Sequence, residues 1–159
     1  MRDIEREIDG VLERLRIPRE QFERQGLAEG RRVVTAARDR FVVGDPRVWW
    51  LSPRLPCRTS PYAQEHWAEC LRRELPPGTS ACWLVIETDE GKEDLPVYRV
   101  QARHLPPVLG ECSFFEYYVV GEHHDWLLID TDHDELLFTE YRPANGSAST
   151  PSSRAPDAG

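Results

Sequence analysis

Histidine and carboxylate side chains crowd two short stretches near the C-terminal end of the chain. The first reads Glu122, His123, His124, Asp125; the second reads Asp130, Thr131, Asp132, His133, Asp134, Glu135. Imidazole and carboxylate oxygen are donors for zinc or non-haem iron, and the same groups act as general acids and bases. One reading is therefore a metal-dependent hydrolase using the His and Asp residues of 123–134. Geometry weighs against it. "WLLID" between the stretches has strand composition, and five residues of strand separate its two ends by ~17 Å. Metal ligands must converge within ~2 Å of the ion. Adjacent histidines diverge in an extended chain. Asp130, Asp132 and Asp134 alternate like the start of a calcium loop, but its glycine and glutamate positions are filled by Glu135 and Tyr141. The plainer reading is two polar hairpin turns, since Asp, Gly and His are turn formers. No metal and no cofactor is expected.

Other chemistry is thinner. No serine elbow and no glycine-rich phosphate loop is present. Glu111 and Glu116 are a formal acid–base pair. Cys57 has Arg54 and Arg58 beside it, a setting that lowers a thiol pKa. The four cysteines lack zinc spacing, and free structural thiols are expected.

These residues must be positioned by the elements around them. Ile4, Ile8, Val11, Leu12 and Leu15 mark one face of a helix, which Pro18 stops. A second helix is expected over 27–40, with Leu27, Val34, Ala37 and Phe41 inward. "RVWWL" (47–51) reads as a short strand, and "SPRLPCRTSP" as a surface loop. Ser60 and Pro61 read as the cap and first residue of a helix ending near Leu75. "ACWLVIET" (81–88) and "LPVYRV" (95–100) predict a hairpin across the turn "DEGKED". Pro106 and Pro107 open a short helix that ends by Cys112. Strands over 114–120, 126–130 and 135–140 then form a three-stranded meander. The expected fold is α+β: N-terminal helices packed on a mainly antiparallel sheet, helices mainly on one face. A single domain is expected over 1–142. Residues 143–159 contain no large apolar residue and read as a disordered tail.

The 159-residue chain has a net charge of −8, and residues 111–140 hold nine acidic and no basic residues. Such a field repels nucleic acid and favours a basic protein partner. No apolar run is long enough for a membrane span, and the N-terminal residues lack a secretory core. A cytoplasmic location is expected. Trp49 and Trp50 cannot both face one core from a strand, so one is expected on the other face, under a helix, under a loop or at an interface.

The run "VLGECSFFEYYVVGEHHDWLLIDTDHDELL" resembles a bacterial domain family of unknown function. Its members carry a short helix ending at a Glu-Cys pair, a Phe-Glu-Tyr-Tyr strand, a Trp-Leu strand and a His-Asp turn. Residues 108–137 carry the resemblance, through Glu111, Cys112, Phe115, Glu116, Tyr117, Tyr118, Trp126, Leu127, His133 and Asp134. Asp132 stands where such proteins often have a further histidine. In size, charge and fold class the chain is similar to immunity proteins of bacterial toxin systems, including the SUKH type. That similarity implies a non-enzymatic binding protein that neutralises a toxin by occluding a basic surface. The candidate contacts are Glu122, His123, His124, Asp125, Asp130, Asp132, His133, Asp134 and Glu135, with Trp49 and Trp50. A regulatory domain with a small ligand between sheet and helices is a further alternative.

The composition of the tail generates a test. Removing residues 144–159 is expected to leave the melting temperature unchanged, because these residues offer no large apolar side chain to bury. A loss of several degrees would show that the tail docks.

Overall fold

The computed structural model describes residues 3–88, 94–131 and 133–142. The expected turn at 89–94 lies largely outside them, as do Asp132 and the expected tail at 143–159. The elements in chain order are α1 (Asp3–Arg14), β1 (Phe22–Arg24), α2 (Leu27–Phe41), β2 (Arg58–Pro61), α3 (Trp67–Glu74), β3 (Ala81–Ile86), β4 (Val97–Gln101), α4 (Leu105–Glu111), β5 (Tyr117–Gly121), β6 (Trp126–Asp130) and β7 (Glu135–Glu140). Seven strands form one sheet in the order β1-β4-β3-β5-β6-β7-β2, with every neighbouring pair antiparallel. The α+β architecture, the β3–β4 hairpin and the β5–β6–β7 meander follow the sequence expectation.

The middle strands read as nearly continuous apolar runs because both faces of the sheet are buried. Alternate side chains go to opposite sides. Cys82, Leu84 and Ile86 of β3 face one core, with Tyr117, Val119, Trp126 and Leu128 beside them. Helices α1, α3 and α4 cover that side through Ile8, Leu12, Leu71 and Leu105. Trp83 and Val85 face the other side, with Tyr118, Val120, Leu127 and Ile129. Helix α2 covers it with Val33, Val34, Ala37 and Phe41. Three helices on one face and one on the other give both layers a core.

Four local readings need correction. Residues 49–51 form a 3-10 turn, not a strand. Trp49 stacks on Tyr118 with ring centroids 4.0 Å apart, and this apolar contact outweighs strand propensity. Residues 58–61, read as loop and helix cap, are the edge strand β2 paired with β7. Pro61 is tolerated there because it sits at the end of an edge strand. The Ser60 hydroxyl donates to Glu74 Oε1 at 2.7 Å and caps nothing. The three-residue strand β1, "FER", lies in a stretch to which no strand was assigned. Leu27 is 57% exposed, because the inward stripe of α2 begins at Gly30. Among the described residues, no helix is long and apolar enough to cross a membrane.

Gly121, at the end of β5, has no room for a side chain. A Cβ there would lie 2.6 Å from Trp126 Nε1 and 2.8 Å from its Cδ1. Trp126 is buried and cannot swing away. Gly121→Ala is expected to lose about 1–3 kcal/mol in chemical denaturation, the usual range for overpacking. An unchanged midpoint would show that the indole relaxes.

Candidate functional site

The sheet has two ends, and the meander puts its two turns at opposite ones. At one end, Ile86 pairs Tyr117, Tyr117 pairs Asp130 and Asp130 pairs Leu136. Just beyond this row, the Glu87 N–H donates to the Glu116 carbonyl at 3.0 Å, and the Thr131 N–H donates to the Glu135 carbonyl at 3.1 Å. The Tyr62 N–H donates to the Asp134 carbonyl at 3.0 Å. Glu87, Glu116, Asp130, Asp134 and Glu135 therefore occupy one end of the molecule.

Asp130 is the buried member, at 2% exposure. Its carboxylate accepts from Tyr62 Oη at 2.6 Å, Trp67 Nε1 at 2.9 Å and Tyr117 Oη at 2.8 Å. Burial raises its pKa above the ordinary carboxylate value, and the three donors only partly offset that. Asp130 was expected as a partner contact; its burial rules out direct contact. The strand pattern explains why: residues 126, 128 and 130 point the same way, into the core under α3. Nearby, Glu74 is also buried. Burial pushes its carboxyl up, but hydrogen bonds from Arg58 and Ser60 and the charge of Arg73 bring it below the ordinary value.

The other face of this end is aromatic. Buried Trp49 donates its backbone N–H to Tyr118 Oη at 3.1 Å, and Tyr118 Oη donates to Glu87. Burial, then the Glu87 carboxylate, raises the Tyr118 pKa far above the ordinary value. Trp49 is thus covered and makes no surface contact, whereas half-buried Trp50 meets His133 edge-on at 5.4 Å. Phe114 is 64% exposed. With Phe115, Glu87, Thr88, Glu116 and Arg47 it lines a cavity of about 250 Å³. Asp134 adopts φ 55°, a left-handed conformation that Asp tolerates, and accepts from Gln64 Nε2 at 2.6 Å.

The opposite end carries Glu122, His123, His124 and Asp125. Here arginine meets the acid. Glu122 lies 2.5 Å from Arg99. Arg40 Nη1 donates to the carbonyls of His123 and His124, and its guanidinium lies over the Tyr141 ring. His123 and Asp125 are exposed. Burial, then the charge of Arg40, lowers the His124 pKa and keeps the ring neutral.

The structure thus divides the residues expected to act together. Glu122, His123, His124 and Asp125 sit at one end; His133, Asp134 and Glu135 sit at the other, with half-buried Trp50. A metal site drawing on both turns does not fit this topology. Among the described residues no three His, Cys, Asp or Glu side chains group as metal ligands. Glu111 pairs with Arg14 at 3.8 Å, whereas Glu116 lies opposite Glu87. Cys57 is not activated. Burial raises its pKa, with a Thr139 hydrogen bond acting the other way; Arg54 turns to the Val42 carbonyl and Arg58 to Glu74. Glu87, Phe114 and Arg47 were not singled out from sequence. Glu87 and Phe114 meet because β3 pairs with β5, and Arg47 joins them from the segment before Trp49; no local pattern encodes either. No known protein family, curated protein or solved structure matches this chain. The resemblance of residues 108–137 therefore rests on those residues alone.

The donor set around Asp130 predicts an unequal response to substitution. In Asp130→Asn, the amide oxygen can accept from Trp67 and Tyr117 while its nitrogen donates to Tyr62 Oη, so a loss below ~1 kcal/mol is expected. Asp130→Ala orphans all three donors and should cost about 3 kcal/mol or more. The pH dependence carries a sign. A carboxyl raised in the folded state contributes stability that is full below its unfolded value and is lost as pH rises through its folded value. Lowered Glu74 does the reverse: its contribution is present above the unfolded value and lost as pH falls through the folded one. Wild type should therefore exceed Asp130→Asn by more in acid than at neutral pH, and acid unfolding should be milder in Glu74→Gln. Parallel stability profiles for these proteins would refute the assignment.

Proposed function

We propose that the chain is a non-enzymatic binding protein that engages a basic protein partner through the β6–β7 end of its sheet. The single observation that carries this reading is the gathering of carboxylates beside exposed aromatic area at that end. Glu87, Glu116, Asp134 and Glu135 gather there, and among the described residues Glu87 and Glu116 line a cavity together with Arg47, Phe114 and Phe115. At the other end Arg99 pairs with Glu122, and Arg40 donates to the His123 and His124 carbonyls. Exposed Phe114 and half-buried Trp50 supply apolar area beside the carboxylates, the mixture that protein interfaces use. Complementary charge speeds encounter and rejects wrong partners.

Within that reading, the partner class is a protein with a basic cleft, and occlusion is the mechanism. A toxin domain neutralised by an immunity protein of this size and charge fits it. Asp134, Glu135, His133 and Trp50 are the proposed contacts, joined by Glu116 and Phe114.

The test is co-purification with the product of the neighbouring gene, followed by association kinetics at low and physiological salt. Asp134→Asn/Glu135→Gln should slow association several-fold at low salt and little at high salt. Glu122→Gln/Asp125→Asn should leave the rate unchanged, and both double variants should stay folded because exposed and half-exposed carboxylates near the surface contribute little stability. Equal slowing by the two pairs, or none by the first, would sink the assignment of this end.

A further inference from the structure

We propose that the cleft between the end of α3 and the start of α4 binds a small carboxylic acid with an apolar body. The cleft measures about 350 Å³. Arg72 and Arg103 flank it, and Leu75, Pro76, Pro77 and Pro106 form much of its wall. It lies at the start of β3, where Ala81 pairs Gln101 and Cys82 pairs Gly121, and so at the end of the sheet that carries the Glu122–Asp125 turn, away from the β6–β7 end.

The case rests on uncancelled charge over an apolar bed. No carboxylate lines the cleft among the described residues. Arg72 is exposed, and among the described residues it has no ion pair. Arg103 reaches Gln21 Oε1 at 3.4 Å, and the same oxygen lies 2.8 Å from His104 Nε2. Gln21 is neutral, so it steers the guanidinium without discharging it. The larger cavity beside α2, about 590 Å³, makes the contrast. Arg31, Arg38 and Arg54 line it, yet Asp94 holds the first at 2.7 Å and Asp45 the second at 2.5 Å, Arg54 donates to the Val42 carbonyl, and Asp39 lines the same space. An anion entering there would have to displace carboxylates already bound.

The chemistry of the cleft selects the ligand class. Guanidinium forks match a carboxylate, each offering two parallel donors. Proline rings are rigid, so the bed is preorganised and loses little entropy on binding. The volume lies at the lower end of ligand pockets and fits an acid of about eight carbons.

The experiment is a titration of the full chain with octanoate, followed residue by residue in amide NMR spectra, with octanol as the neutral control. Saturable shifts confined to residues 72–79 and 102–106 are expected. Octanol should bind roughly tenfold more weakly, the loss of one good charge-assisted contact. Arg72→Gln should weaken octanoate by a similar factor, and Arg72→Gln/Arg103→Gln by more. Among the described residues Arg72 has no ion pair to lose, so the single variant keeps the test valid even where the double variant unfolds. No saturable shift by about 5 mM octanoate, equal binding of octanol, or shifts centred elsewhere would overturn the proposal. The β6–β7 end would be untouched by that result, since the two surfaces share no residue.

Discussion

Asp130 is the residue on which the β6–β7 end of the fold depends. A carboxylate this deeply buried costs several kcal/mol unless its oxygens are satisfied. Its three donors come from three places: Tyr62 follows β2, Trp67 opens α3, and Tyr117 opens β5. One side chain therefore specifies how the edge strand leaves the sheet, where α3 starts over it, and the register of β5 on β6. Glu74 repeats the device further along α3, where it takes Arg58 and Ser60 from β2. Apolar packing from Cys70 and Leu71 supplies attraction between α3 and the sheet, and these polar ties supply its orientation.

Much of this architecture was legible in the residues. Strands β3, β5, β6 and β7 announce themselves as apolar runs of strand length, and α1 and α2 as stripes of helical period. The edge strands did not show, for a physical reason. "FER" and "RTSP" have no alternation to read, because a three- or four-residue strand at a rim is defined by its neighbour's hydrogen bonds. Asp130 was placed at the end of the strand 126–130 and expected as a partner contact, because it follows an apolar run and opens an acidic stretch. The period-two pattern from Trp126 through Leu128 pointed it inward, but its partners Tyr62 and Trp67 lie 68 and 63 residues earlier in the chain. Long-range closure of that kind leaves no local mark. The Trp pair was legible only in part: one ring buried and one half-buried was foreseeable, the 3-10 turn that presents them was not.

Charge counted along the sequence is not charge on the surface. Residues 111–140 hold nine acids and no base, yet Glu111, Glu122 and Glu140 each sit within 4 Å of an arginine nitrogen. Asp130 is buried in its own hydrogen-bond shell. Arg14, Arg99 and Arg142, all outside the segment, thus offset its charge unevenly. A directional field orients an approaching partner before contact, which a uniform one cannot do.

The two rims of the sheet carry a consequence of a different kind. An open sheet invites a further strand from any neighbouring molecule, since its outer amides and carbonyls are unpaired. Here one rim is β1, three residues long with Glu23 and Arg24 in it, and the other is β2, which begins at Arg58 and stops at Pro61. Neither offers a run long enough to nucleate cross-molecular pairing, and proline lacks the amide that a docking strand would need. The five apolar strands between them are shielded from fibril growth at high protein concentration by two of the least apolar segments in the fold.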